Sequence, residues 1–220
     1  MRTRVLQLEQ DILAGYQHMA DHVRARLASQ HTLALNLVSS PGSGKTTLLV
    51  ETVARLKAQQ RPVAVIEGDQ QTSFDAERIR ATGVQAVQIN TGKGCHLDAR
   101  MVHDALHDLP TLPHGVLMIE NVGNLVCPAG FDLGERAKVL VFSVTEGEDK
   151  PLKYPDMFQA AGLILLHKCD LLPHLRFDVA RALDFVRQVT PDAPVIQLSS
   201  TTGEGFDAWM RWIDTQCAAA

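Results

Sequence analysis

The run Ser39-Ser40-Pro41-Gly42-Ser43-Gly44-Lys45-Thr46 has the residue types and spacing to hold a nucleoside triphosphate. Glycines let the backbone wrap close to phosphate oxygens, so that amide hydrogens point inward at a helix N-terminus. Gly42, Ser43 and Gly44 would supply those amides, and Lys45 a mobile positive charge. The Thr46 hydroxyl can ligate magnesium, with Thr47 completing the turn. Such loops usually begin with glycine six positions before the lysine, where this chain has Ser39. Two acids are placed to work with this loop. Asp69 closes Glu67-Gly68-Asp69 and is a candidate for holding a magnesium-bound water or polarising the attacking one. Its bland alternative is an acidic turn residue capping a helix. Glu120 opens Glu120-Asn121-Val122-Gly123, where magnesium-side motifs commonly carry aspartate, and its longer arm can reach the metal directly or through water. Gly123 can offer its backbone N–H to the γ-phosphate, making the loop after it a sensor of GTP against GDP. Asp75 is a second candidate for contacting the metal.

The base is selected by His167-Lys168-Cys169-Asp170. A carboxylate at Asp170 accepts both hydrogens of the N1 and N2 edge of guanine, a pair that adenine lacks. Lys168 would lie over the base, and Ser199, Ser200 and Thr201 would form a loop beneath it. The usual pattern has asparagine at His167. GTP is therefore expected rather than ATP, with Lys45 and Asp69 as the catalytic pair.

A different chemistry is available at Cys95-His96 and Cys127. Thiolates and imidazole suit nickel(II) and zinc(II). Two thiols and one imidazole do not fill a coordination sphere, but a symmetric dimer could bring two sets together. Spacing alone leaves the alternative open, that both are ordinary half-buried thiols. The i, i+4 pairs His18/His22 and His103/His107 have a chelating spacing too, with solvated histidines as the simpler reading.

These residues need strands and helices to position them. Leu33–Val38 reads as a buried strand feeding the phosphate loop, and Thr46–Leu56 as the helix behind it. Further strands are expected at 62–66, 84–89, 116–119, 163–166 and 195–198. Asp69, Glu120 and Asp170 then fall at strand carboxyl ends, the edge where open α/β sheets bind ligands. The fold expected is α/β: one domain over 1–220, three-layered, with a mostly parallel sheet and a core of about 31–215. A helix of about 3–29 precedes it, with Leu6, Ile12, Leu13, Tyr16, Val23 and Leu27 as an apolar stripe. Gln70 through Asp75 is polar and expected to move with the state of the γ-phosphate.

The chain has 220 residues and a net charge of −4, so no global field favours nucleic acid or an anionic membrane. Its four cysteines are too dispersed for a disulfide framework. With no signal peptide or bilayer-spanning run in the sequence, the cytoplasm is the expected compartment.

Four longer runs make the sequence resemble the hydrogenase nickel-incorporation GTPases, the HypB family. They are Glu67-Gly68-Asp69-Gln70-Gln71-Thr72 with Asp75–Ile79, Asn90–Ala99, Glu120–Ala129 and Ser143–Lys150. The resemblance implies a SIMIBI-class P-loop GTPase that forms a homodimer and helps deliver nickel to the large-subunit precursor of a nickel–iron hydrogenase. It implies nickel or zinc on Cys95, His96 and Cys127 near the dimer interface, and magnesium on Thr46, Asp69 and Glu120. The implied partners are a zinc- and nickel-binding accessory protein and a hydrogenase maturation complex. Some family members carry an N-terminal cysteine motif or histidine-rich tract; Met1–His31 has neither, which leaves the interface cluster as the expected strong site. Two rivals stand beside this reading. One is the urease-type nickel GTPase, whose metal motif resembles Cys-Pro-His; the other is a nucleotide-gated scaffold with structural zinc.

Overall fold

The computed structural model describes the backbone of residues 2–69 and 74–219, and side chains from residue 15 onward within those ranges. The expected movement of Gln70–Ser73 lies outside the described residues, as do the side chains of the stripe positions Leu6, Ile12 and Leu13.

In chain order the elements are α1 (Arg2–Ala28), β1 (Leu33–Ser39), α2 (Lys45–Ala58), β2 (Val63–Asp69), α3 (Phe74–Arg80), β3 (Gln85–Asn90), α4 (Ala99–Ala105), β4 (Val116–Glu120) and β5 (Ala137–Ser143). Then follow α5 (Lys150–Lys153), α6 (Pro155–Ala160), β6 (Ala161–His167), α7 (Val179–Val189), β7 (Val195–Gln197) and α8 (Phe206–Ala218). Among the described residues the strands form one sheet in the order β3-β2-β4-β1-β5-β6-β7. Each neighbouring pair in it is parallel.

Side chains alternate across a strand, so each central strand feeds both faces. Leu33, Leu35 and Leu37 of β1 join Val139 and Val141 of β5 beneath Leu48, Leu49 and Val53 of α2 and Phe206, Trp209 and Ile213 of α8. On the other face, Ala34, Leu117 and Ile119 meet Val23 and Leu27 of α1 and Val102 of α4. Beside them Leu140, Phe142, Ile164 and Leu166 pack under Met157 and Phe158 of α6 and Ala182 and Val186 of α7. The result is three layers. Within this core the Trp209 indole donates to the buried Thr52 hydroxyl at 2.9 Å, which satisfies both groups. Among the described residues, no helix is long and apolar enough to cross a membrane.

Parallel strands put every carboxyl end on one edge. β1 ends at Ser39, β2 at Asp69, β3 at Asn90, β4 at Glu120 and β6 at His167. The runs singled out for chemistry lie on this edge: Glu67-Gly68-Asp69 closes β2, Ser143–Lys150 starts on the last residue of β5, and Ser199–Thr201 follows the end of β7. Two expectations need correction. α4 starts at Ala99, capped by the Asp98 side chain accepting from Met101 N, and stops at Ala105. His107 therefore lies past its end, and His103/His107 is not a pair on one helix. β5, between β1 and β6, is a strand the sequence reading did not single out.

Candidate functional site

A cleft of about 520 Å³ opens at this edge, lined by Pro41–Thr47, Glu67, Gly68, Asp69, Asp75, Arg78, Glu120–Gly123 and Lys168. Gly42 and Gly44 adopt φ of +73° and +97°, a region costly for residues with a Cβ. At Gly44 a Cβ would also sit 2.7 Å from the His167 ring. Ser39, where glycine is usual, is fully buried at the end of β1, and its hydroxyl donates to Ser40 O at 2.7 Å. Ser40 in turn donates to Glu146 Oε2 at 2.5 Å, and Lys150 pairs with that carboxylate at 3.5 Å. The Ser143–Lys150 run is thus fastened to the phosphate loop.

Thr46 Oγ1 donates to Glu120 Oε1 at 2.7 Å, and Lys45 Nζ lies 3.8 Å from the same oxygen. Glu67 faces Glu120 in the β2–β4 register. Both carboxylates are buried, and Glu67 Oε2 and Glu120 Oε2 receive no hydrogen bond from the described residues. Burial, reinforced by Glu120, Asp69 and Asp75, pushes the Glu67 carboxyl up to about 8. Burial also raises that of Glu120, against Lys45 and Thr46. Orphaned carboxylate oxygens beside a threonine hydroxyl form an oxygen donor set that fits magnesium. Asp69 and Asp75 line the same cleft. Two charged lining residues, Glu67 and Arg78, had no assigned role from sequence. Glu67 is brought in by strand register, a non-local relation. Arg78 donates to Thr47 Oγ1 at 3.1 Å from α3.

At the other end of the cleft the Lys168 ammonium donates to Gly42 O at 2.7 Å. Asp170 and the Ser199–Thr201 loop do not line the cleft itself but form a cluster of their own. Ser199 Oγ donates to Asp170 Oδ1 at 2.6 Å, and Thr201 N donates to Ser199 Oγ at 3.1 Å. His167 joins the two parts, with Nδ1 2.9 Å from Ser43 O and Nε2 2.7 Å from Ser200 Oγ. Since a carbonyl only accepts, Nδ1 carries the proton and Nε2 accepts from the serine. Burial lowers the pKa of this ring.

Cys95, His96 and Cys127 come together, their donor atoms all within 4.8 Å of one another. The two Sγ atoms are 2.7 Å apart, and Cys95 Sγ is 3.6 Å from His96 Nδ1. Contact with Cys127, then burial, raises the pKa of the Cys95 thiol. Burial lowers that of His96, which keeps its nitrogen available as a ligand. Two soft sulfurs and an imidazole suit nickel or zinc and leave part of the sphere to another ligand. The His96 ring lies on Phe131, with centroids 3.8 Å apart, and Phe131 meets Tyr16 of α1 edge-on. His18 and His22 approach to 3.2 Å between Nε2 atoms, without a third donor close enough to complete a cluster among the described residues. Cys169 and Cys217 lie apart from the cluster.

The family model described as the CobW/HypB/UreG nucleotide-binding domain matches residues 33–197. The hydrogenase maturation factor HypB of Escherichia coli K12 is 61% identical over 216 residues, covering 98% of this chain and 74% of that protein. The crystal structure of HypB from Archaeoglobus fulgidus superposes with a TM-score of 0.86 at 36% identity, covering 93% of this chain and 99% of that one. HypB from Helicobacter pylori, solved in complex with nickel, gives a TM-score of 0.86 at 37% identity, covering 93% and 96% of the two chains. With its phosphate loop, its paired carboxylates and its thiol–imidazole cluster on one sheet edge, the chain belongs to the HypB family of SIMIBI-class P-loop GTPases.

Proposed function

We propose that this protein hydrolyses GTP to GDP and phosphate and uses that cycle to take up and release nickel during assembly of the large subunit of a nickel–iron hydrogenase. One observation carries the reading. The loop after β4 lines the nucleotide cleft at Gly123 and supplies Cys127 to the cluster four residues later. A Cβ at Gly123 would come within 3.0 Å of the Pro41 backbone, so this loop lies directly against the phosphate loop. Nickel is the cargo, held by Cys95, His96 and Cys127. Thr46, Asp69 and Glu120 would hold magnesium, with Asp75 at the margin, and the ion would neutralise phosphate charge. Lys45 and the amides of Gly42 to Thr47 stabilise the phosphates, and Asp69 orients the attacking water. Asp170 reads the guanine edge, Lys168 covers the base, and Ser199, Ser200 and Thr201 floor it.

Three protein donors leave room for a ligand from a second copy, which supports a homodimer with the metal at its interface. The E. coli relative's designation as a hydrogenase maturation factor supports the partners, a metal-binding accessory protein and a hydrogenase large-subunit precursor complex. Free thiols suit a reducing compartment, which supports the cytoplasm.

The test is a nickel titration of the protein bound to GDP and to a non-hydrolysable GTP analogue, with mass followed by light scattering. The Cys95→Ala and Cys127→Ala variants run alongside. Nickel affinity that shifts with nucleotide in the wild type and is lost in both variants is the expected result. Binding that ignores nucleotide, or that survives both substitutions, would overturn the reading.

A further inference from the structure

Asn121 follows Glu120 at the end of β4 and is 1% exposed. Its side chain belongs to a buried polar chain that starts at the Lys138–Glu135 ion pair, 2.9 Å long. Asn36 Nδ2 donates to Glu135 Oε1 at 3.1 Å, and Asn121 Nδ2 donates to Asn36 Oδ1 at 3.2 Å. Asn121 Oδ1 then accepts from two backbone groups, Leu97 N and Val122 N, each at 3.0 Å. The carboxylate at one end can only accept and the two N–H groups at the other can only donate. Both amides are thereby locked in one orientation, with no flip that satisfies the chain.

The two N–H groups belong to different machinery. Leu97 comes directly after Cys95 and His96, whereas Val122 precedes Gly123 in the nucleotide cleft. The Leu97 side chain lies against Gly68, where a Cβ would meet it at 2.8 Å, next to Asp69. On the far side of Gly123, Asn124 repeats the arrangement. Its Nδ2 donates to Cys95 O at 3.3 Å, and its Oδ1 accepts from Val126 N at 2.8 Å, just before Cys127. Gly123 is therefore bracketed by two asparagines whose side chains grip the backbone on both sides of His96. A shift of Gly123 toward or away from a γ-phosphate must carry the cluster loop with it, or leave buried N–H donors without partners.

We infer that Asn121 and Asn124 are positioning residues that transmit the nucleotide state to the Cys95–His96–Cys127 cluster. This rests on the GTP-gated nickel reading above.

The experiment measures nickel affinity in the GDP and GTP-analogue states and takes their ratio, for wild type, Asn121→Ala, Asn121→Asp and Asn124→Ala. Thiolate-to-nickel absorption bands report that the cluster is intact. Wild type is expected to show a ratio in the range of about 5- to 150-fold, in either direction. Asn121→Ala should bring it within about twofold of unity while the absorption bands persist. Asn121→Asp keeps an oxygen for Leu97 N and Val122 N and should retain most of the ratio. A merely structural loss would weaken binding in both nucleotide states alike and leave the ratio where it was. Should Asn121→Ala not fold, Asn124→Ala, at a half-buried position, is expected to cut the ratio by itself. A wild-type ratio kept by folded Asn121→Ala or by Asn124→Ala would overturn the role of the asparagines alone. A ratio of one in the wild type would instead remove the gating on which it rests.

Discussion

His167 stands where the guanine motif usually has asparagine, and its imidazole shows what that position is asked to do. One nitrogen holds the phosphate loop at Ser43 O and the other holds the base loop at Ser200 Oγ. An asparagine amide offers the same pair, one donor and one acceptor. The difference is that imidazole titrates. Burial lowers the pKa of His167, whereas in the unfolded chain it takes up its proton near 6.5. The unfolded state therefore binds more protons below that pH, and stability falls as pH falls. The contribution is complete above the unfolded value and is lost progressively down to the lowered folded value. The slope from one such group is at most about 1.4 kcal/mol per pH unit. His167→Asn should keep both hydrogen bonds and lose that slope. Denaturant melts of the nucleotide-free protein between pH 7 and 5 check this, since every other titrating group is common to both proteins. Parallel stability curves for wild type and variant would show that the buried ring does not titrate there.

At the scale of elements, α1 backs the metal cluster indirectly, Tyr16 meeting the Phe131 ring on which His96 rests. Ala20, Val23 and Leu27 bury against the sheet, and Gly134 lets the chain pass beneath them. Its φ is +83°, and a Cβ there would come 2.6 Å from Ala20 O and 2.7 Å from Val23. Gly134→Ala meets both backbone strain and overpacking, which together cost roughly 3 kcal/mol. The loop displaced carries Phe131, on which the His96 ring rests. Nickel affinity should therefore fall more than GTP affinity, alongside a lowered melting temperature. Equal losses at both sites, or an unchanged melting temperature, would mean that α1 does not steady the cluster. Sequence reading reached much of this architecture for identifiable reasons. Gly42, Gly44 and Lys45 form a local pattern whose meaning needs no tertiary partner. Val63–Ile66 and Leu163–Leu166 are apolar runs bounded by turn chemistry, and their carboxyl ends follow from parallel pairing. β5 escaped because Val139-Leu140-Val141-Phe142 carries no ligand at its end and, by periodicity alone, resembles a buried helix segment. Glu67 and Asn36 escaped for a different reason. Their partners, Glu120 and Asn121 with Glu135, are set by strand register and loop packing, which no local window contains.

At the scale of the whole molecule, the cluster on its own is an incomplete coordination shell. It holds two sulfurs and one nitrogen, all within 4.8 Å, and both nickel and zinc take at least four ligands in such sites. In the isolated protein the remaining position can go to water or to a second copy of the chain, and mass action separates the two. A site completed by water binds nickel with an affinity that does not depend on protein concentration. A site shared between two chains draws its free energy partly from association, so metal and dimer stabilise each other. Below the dimer's own dissociation constant, a tenfold dilution of protein should then weaken apparent nickel binding by about the same factor. The exposed Val126, next to Cys127 and 64% accessible, gives the shared arrangement an apolar surface to cover beside the metal. Replacing it by aspartate should shift the concentration dependence toward weaker assembly without removing a ligand. Nickel titrations at several protein concentrations, with light scattering on the same samples, decide the matter. Apparent affinity rising with concentration, and lost from Val126→Asp at the same concentrations, places the fourth ligand in the partner. Affinity independent of concentration in both proteins makes each chain a complete carrier, and the nucleotide then gates delivery within a monomer.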